Sequence, residues 1–158
     1  TIFRSQMILI GCAMVLLGLV LWAADAMAAQ QRRIGNMTLT DALLIGLSQG
    51  LAIIPGVSRS GATITMARII GIERQDAANF SFLMATPIIA GAGLVEIRKI
   101  LRAPIDPSIT ISGFIAAAIF GLIAIAALVK FVRTRTYQPF VWYRIVAAIV
   151  VFAVAWSR

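Results

Sequence analysis

Residues 55–63 read Pro-Gly-Val-Ser-Arg-Ser-Gly-Ala-Thr, a polar, glycine-punctuated string set between apolar runs. Arg59 is its costly member. An arginine at mid-bilayer costs roughly 2.5–3.5 kcal/mol on an insertion scale, so this position asks for a partner. The residue types around it suit an anion. Ser58, Ser60 and Thr63 are hydroxyl donors, and Gly56 and Gly61 let backbone approach closely. A helix beginning just after Arg59 would aim unpaired amides and the positive end of its dipole into the bend. A guanidinium adds a forked, permanently charged donor suited to two phosphate oxygens at once. Gln49, on the incoming arm, could reach the same bend. The plainer alternative is a helix break whose serines cap backbone, whose arginine snorkels or pairs with a glutamate, and whose glutamine packs between helices.

Apolar segments must position this string. The sequence is 61% hydrophobic with a mean hydropathy of +0.97, whereas ordinary soluble domains are about 45–50% apolar. The composition predicts an all-α integral membrane protein forming a single membrane domain over residues 1–158. Segments 7–29, 79–97, 108–132 and 140–156 can each cross a hydrocarbon core of roughly 30 Å. Segment 40–71 is too polar and too broken, by Pro55, Gly56 and Gly61, to be one span. Thr38 or Thr40 can cap a first arm, and Ser58 or Ser60 a second running to about Ile70. Arms of roughly 15 residues are too short to cross. The pattern therefore predicts four spans plus a re-entrant helix-loop-helix hairpin over about 40–71. Such a bend is tolerated only where protein or a water-filled cavity covers it, and broken helices of this kind point to a membrane binding site.

The formal charge of +8 is no sign of nucleic acid, because the cations cluster at segment ends, where they anchor and orient spans. Gln30, Gln31, Arg32 and Arg33 mark the exit of the first span. A hairpin that enters and leaves on one side puts Arg32, Arg33, Arg74, Lys130, Arg133 and Arg135 there, against Arg4, Arg98, Lys99, Arg102 and Arg158 opposite. That balance does not choose a cytoplasmic face. Asp25, Glu96 and Asp106 read as membrane-edge residues, Arg68 as pointing to the interface, and Arg144 as a snorkelling side chain at the start of the last span. Met14, Met66 and Met84 read as lipid-facing or packing residues. Trp22, Tyr137, Trp142, Tyr143 and Trp156 fall near segment ends as interfacial aromatics. Cys12 is the single cysteine, and no histidine occurs, which excludes Ser-His and His-metal chemistry built from this sequence alone. The opening Thr-Ile-Phe-Arg reads as a cut inside a longer protein.

Residues 49–63, Gln-Gly-Leu-Ala-Ile-Ile-Pro-Gly-Val-Ser-Arg-Ser-Gly-Ala-Thr, resemble the second signature of the bacterial undecaprenyl-diphosphatases linked to bacitracin resistance. Residues 77–83, with Pro87 and Gly91-Ala92, resemble the segment that follows it there. The resemblance covers the C-terminal half of the family pattern. It implies a multi-pass phosphatase of the bacterial inner membrane that converts undecaprenyl diphosphate to undecaprenyl phosphate for cell-wall synthesis. It further implies two inverted repeats, each with a re-entrant hairpin, and a site between them. By the resemblance, Arg59 and Ser58 are catalytic, while Ser60, Gly61, Thr63, Gly56 and Gln49 bind substrate. A divalent cation, magnesium or calcium, is implied too, with ligands outside this chain. The family's acidic motif, second serine hairpin and histidine belong to the first repeat, where Gln49 and Ile53 here replace two glutamates. The expected partners are a polyprenyl diphosphate lipid, the membrane, and a missing N-terminal repeat or a second copy. A lipid-phosphate transporter or flippase, or a non-catalytic membrane module, are the readings from other classes.

Overall fold

The computed structural model describes residues 2–28, 32–100 and 106–157. Gln30, Gln31, Arg102, Arg158 and the side chain of Arg4, named above as exit and orientation markers, lie outside the described residues. Among the described residues six α-helices follow one another: α1 (Ile2–Met27), α2 (Leu39–Ser48), α3 (Arg59–Ile69), α4 (Arg74–Ile100), α5 (Pro107–Thr134) and α6 (Gln138–Ser157). Among the described residues the only extended pairing is one parallel bridge between Arg32 and Ile72. Among the described residues four helices are long and apolar enough to cross a membrane: Ser5–Met27, Arg74–Ile100, Pro107–Thr134 and Gln138–Trp156. The chain is an all-α, multi-pass membrane protein.

Local chemistry sets the boundaries of the short helices. Thr38 caps α2 in a reciprocal capping box with Asp41. The incoming arm is α-helical only to Ser48 and then tightens into a 3₁₀ turn over Gln49–Ile53. Ser58 caps α3, its Oγ accepting the Gly61 amide at 3.1 Å. Gly71 (φ +91°) closes α3. Ile72 N–H donates to Ala67 O and Gly71 N–H to Arg68 O, which is the Schellman pattern. Helix α4 begins at Arg74, earlier than the 79–97 span expected from sequence. Glu73 O already accepts the Ala77 amide, and Asp76 in the first turn of α4 complements its dipole. Pro87 lies inside α4 without ending it.

Three sets of contacts order the helices. Gly56, at φ +93°, lies so close to α1 that a Cβ there would meet the Ile10 carbonyl oxygen at 2.5 Å. A Cβ on Gly61 would meet Leu17, and Arg68 reaches Asp25. Helix α3 therefore climbs alongside α1 in the same direction. At 1.5 Å per residue, the stretch of α1 from Ile10 to Asp25 places the bend about 22 Å from the Asp25 level. The two feet of this helix–bend–helix are clasped together, Arg32 N–H donating to Gly71 O (3.1 Å) and Glu73 N–H to Arg32 O (2.9 Å). Helix α6 runs the other way along α1, from Tyr137 beside Asp25 to Phe152 against Gly11. The Tyr137 hydroxyl donates to Arg74 O at 2.8 Å, tying the start of α4 to the same end.

Helix α3 carries Arg59, Ser60, Thr63, Thr65 and Arg68, yet almost all of it from Gly61 to Arg68 is buried. Protein shields it, as its polarity in a membrane demands: α1, α2 and α4 pack around it. Small buried residues on the two helices, Ala62 and Ala67 on α3 and Ala77, Ala78 and Ser81 on α4, allow the close approach. Helix α5 is the opposite case. Phe114, Phe120 and Leu122 point outward, as suits a lipid-facing surface.

Candidate functional site

The site is built on the N-terminus of α3. The Ser58 and Ser60 hydroxyls lie 3.2 Å apart, within hydrogen-bonding distance. They open onto a cavity of about 470 Å³. Gly56 and Gly61 line it from the bend, Arg144 lines it from α6, and Met14, Phe82, Leu128 and Tyr143 supply apolar wall from four helices. A short polar end thus meets a longer greasy one.

Arg144 was expected to snorkel and does the reverse. It is only 9% exposed, donating from Nε to Met14 O (3.3 Å) and from Nη2 to Gly56 O (3.0 Å). No ion pair of Arg144 occurs among the described residues. Sequence reasoning gave this residue no part in the site. The available signal was an arginine two turns into an apolar helix with no acidic residue within four positions on either side.

The other expected site residues divide. Ser58, Ser60, Gly56 and Gly61 converge on the cavity. Arg59 is exposed, outside the cavity lining, and its side chain has no hydrogen bond or ion pair among the described residues. Thr63 is buried and turned toward α4, its hydroxyl shared with Arg59 O (3.1 Å), Ser60 O (3.2 Å) and Ser81 Oγ (2.7 Å). Gln49 also lies off the cavity, with its Oε1 buried and unpartnered.

One further expectation is overturned. Arg68 does not reach the interface: it is fully buried, its Nε on Asp25 Oδ1 at 2.9 Å and Nη1 on the Ile72 carbonyl. Asp25, near the end of α1, is only 5% exposed. It accepts from Arg68, from Arg74 Nε (2.8 Å) and from the Tyr137 amide (3.3 Å). Desolvation drives this arrangement, since two guanidiniums under the helix ends need a common anion. Tyr137 is buried with them, unlike the exposed Trp142 and Trp156.

A divalent cation does not fit the groups present. No carboxylate lines the cavity, and its only charged wall residue is a guanidinium. Among the described residues no three His, Cys, Asp or Glu gather. Magnesium and calcium prefer several anionic or carbonyl oxygens, and two serine hydroxyls beside a cation do not provide them. What the arrangement can do is hold an anionic head by amides, hydroxyls and a cation while an apolar tail lies along the neighbouring wall.

A family model described as "Bacitracin resistance protein BacA" matches residues 1–150. An undecaprenyl-diphosphatase from Pelotomaculum thermopropionicum is 43% identical over 158 residues, covering 100% of this chain and 59% of the relative. One from Moorella thermoacetica is 44% identical over 158 residues, with 100% and 60% covered. Another, from Trichlorobacter lovleyi, is 42% identical over 155 residues, with 96% and 57% covered. The chain therefore spans less than two thirds of the length of these curated relatives.

Proposed function

The chain belongs to the bacitracin resistance protein BacA family, and we propose that it forms one wall of the active site of an undecaprenyl-diphosphate phosphatase. The reaction is hydrolysis: water adds to the terminal phosphorus, the bond to the bridging oxygen breaks, and undecaprenyl phosphate and inorganic phosphate leave. In the bacterial inner membrane this returns the lipid carrier to cell-wall synthesis. One observation carries the reading: a capped helix N-terminus bearing Ser58 and Ser60 opens deep beside α1 onto a cavity with apolar walls. The names of the relatives favour hydrolysis over lipid transport.

The parts have distinct work. The helix–bend–helix over 38–71 acts as a re-entrant hairpin that carries the polar string to membrane depth. Free amides of α3 and the two serine hydroxyls receive phosphate oxygens. Arg59, exposed at the tip, meets the phosphoryl group from the side that the rest of the protein closes, and offsets charge developing in the transition state. The nucleophile's activation and any magnesium or calcium come from groups beyond these residues. Thr63 acts behind this surface, tying α3 to Ser81 rather than touching substrate.

An Arg59→Ala substitution in the full-length enzyme is expected to remove most kcat/KM for undecaprenyl diphosphate while leaving thermal stability nearly unchanged, because the side chain has no partner among the described residues. Near-normal turnover would overturn this role.

A further inference from the structure

We propose that Arg144 is the cation inside the cavity, binding a phosphate oxygen through Nη1 while Nε and Nη2 hold the bend in place. The proposal rests on the reading of the cavity as a prenyl-diphosphate site and adds a binding residue to it.

Three features converge on Arg144. A guanidinium taken out of water is strongly destabilising unless an anion completes it. Arg68 has Asp25 for that purpose; among the described residues Arg144 has the carbonyls of Met14 and Gly56 and no carboxylate. The third nitrogen, Nη1, has no hydrogen bond among the described residues and lies 3.0 Å from where a Cβ on residue 61 would stand. Glycine at 61 thus keeps clear the space beside Nη1, on the wall formed by Ser58 and Ser60. Finally, a diphosphate carries more than one negative charge. Inside a low-dielectric pocket a single arginine leaves that charge under-compensated. Arg144 within the cavity and Arg59, exposed at the tip between the lining residues Ser58 and Ser60, can address the two ends of such a group.

Because Arg144 holds the α1 and bend carbonyls at once, anion binding is also mechanically linked to α6. Arg144 touches the ligand directly, and through Gly56 it positions the loop that presents Ser58.

The test uses the full-length enzyme in detergent and phenylglyoxal, which modifies accessible guanidiniums, read residue by residue by mass spectrometry. Farnesyl diphosphate is expected to slow modification of Arg144 at least fivefold, and farnesol, the same tail without phosphates, to leave it unchanged. Protection by inorganic phosphate alone also supports the anion site and assigns it to the released product as well as the lipid. Equal protection by farnesol and farnesyl diphosphate overturns the proposal, because coverage by the tail explains it. Protection of Arg59 without Arg144 overturns the role of Arg144 and keeps the proposed function. Protection of neither, together with no measurable farnesyl diphosphate binding, overturns both. As a second line, Arg144→Met and Arg144→Gln are expected to weaken farnesyl diphosphate binding at least tenfold with farnesol binding retained. A folded variant with unchanged diphosphate affinity refutes the proposal.

Discussion

Two buried arginines sit at different levels of the same helix bundle, Arg68 near the end of α1 and Arg144 beside its middle. Arg68, at the end of α3, is sealed: 0% exposed, with Asp25, the Ile72 carbonyl and neighbouring helix ends around it. Arg144, on α6, is nearly as buried but bonds only neutral carbonyls and borders a cavity. The first has its anion built in, so its charge is spent on joining α1, α3, α4 and the start of α6. Among the described residues the second has none, so its charge is left for something that arrives. Burial alone does not separate a structural cation from a binding one; the presence of a resident carboxylate does.

The contrast can be broken first at Asp25. Asp25→Ala leaves Arg68 and Arg74 without their shared acid, and loss of one partner of a buried pair costs about 3–5 kcal/mol. Thermal unfolding in detergent should show a larger destabilisation than either Arg144→Met or Gly56→Ala produces; a change within error would mean the cluster is hydrated and not a clasp. Arg144→Met should cost less, about 1–3 kcal/mol, because it orphans two carbonyls rather than a charge. A loss as large as that of Asp25→Ala would erase the distinction between the two arginines. Gly56→Ala sharpens the geometry: a left-handed backbone costs a side chain about 1–2 kcal/mol, and the new methyl would press on the Ile10 carbonyl. Unchanged stability would mean the bend stands clear of α1.

The smallest effect belongs to the feet of the hairpin. Hydrogen bonding from the Arg32 guanidinium, then from the Thr38 amide, lowers the Asp41 carboxyl from its usual 3.8 to about 2. A lowered carboxylate stabilises the fold above its unfolded pKa, and that contribution disappears as pH falls through the folded value. A slight loss of stability is therefore expected between roughly pH 4 and pH 2, and Asp41→Asn should flatten it. An unaltered acid limb in the variant would assign the effect to other groups.

Local signals were the legible ones. Pro55 and Gly56 marked the bend, whereas Gly61, read as a third break, lies inside α3; Thr38 and Ser58 proved to be the caps, and the four long apolar helices stood out by length and hydropathy. Such features depend on residues within one turn of each other. The pairing of Asp25 with Arg68 joins positions 43 apart, and Arg144 meets Gly56 across 88. Nothing in the periodicity of α1 or α6 encodes those meetings, because nearly every face of both helices is apolar. Arg59 illustrates the converse. Its cost in lipid was evident from sequence, but which way it points depends on the phase of α3 against α1, which only the packing fixes.

The ends of α1 and α5 and the starts of α4 and α6 all gather around Asp25 and Tyr137. This has a consequence of parity. Among the described residues the helices long and apolar enough to cross a membrane number four, an even count, and the hairpin, whose feet are clasped together at one level, adds nothing to it.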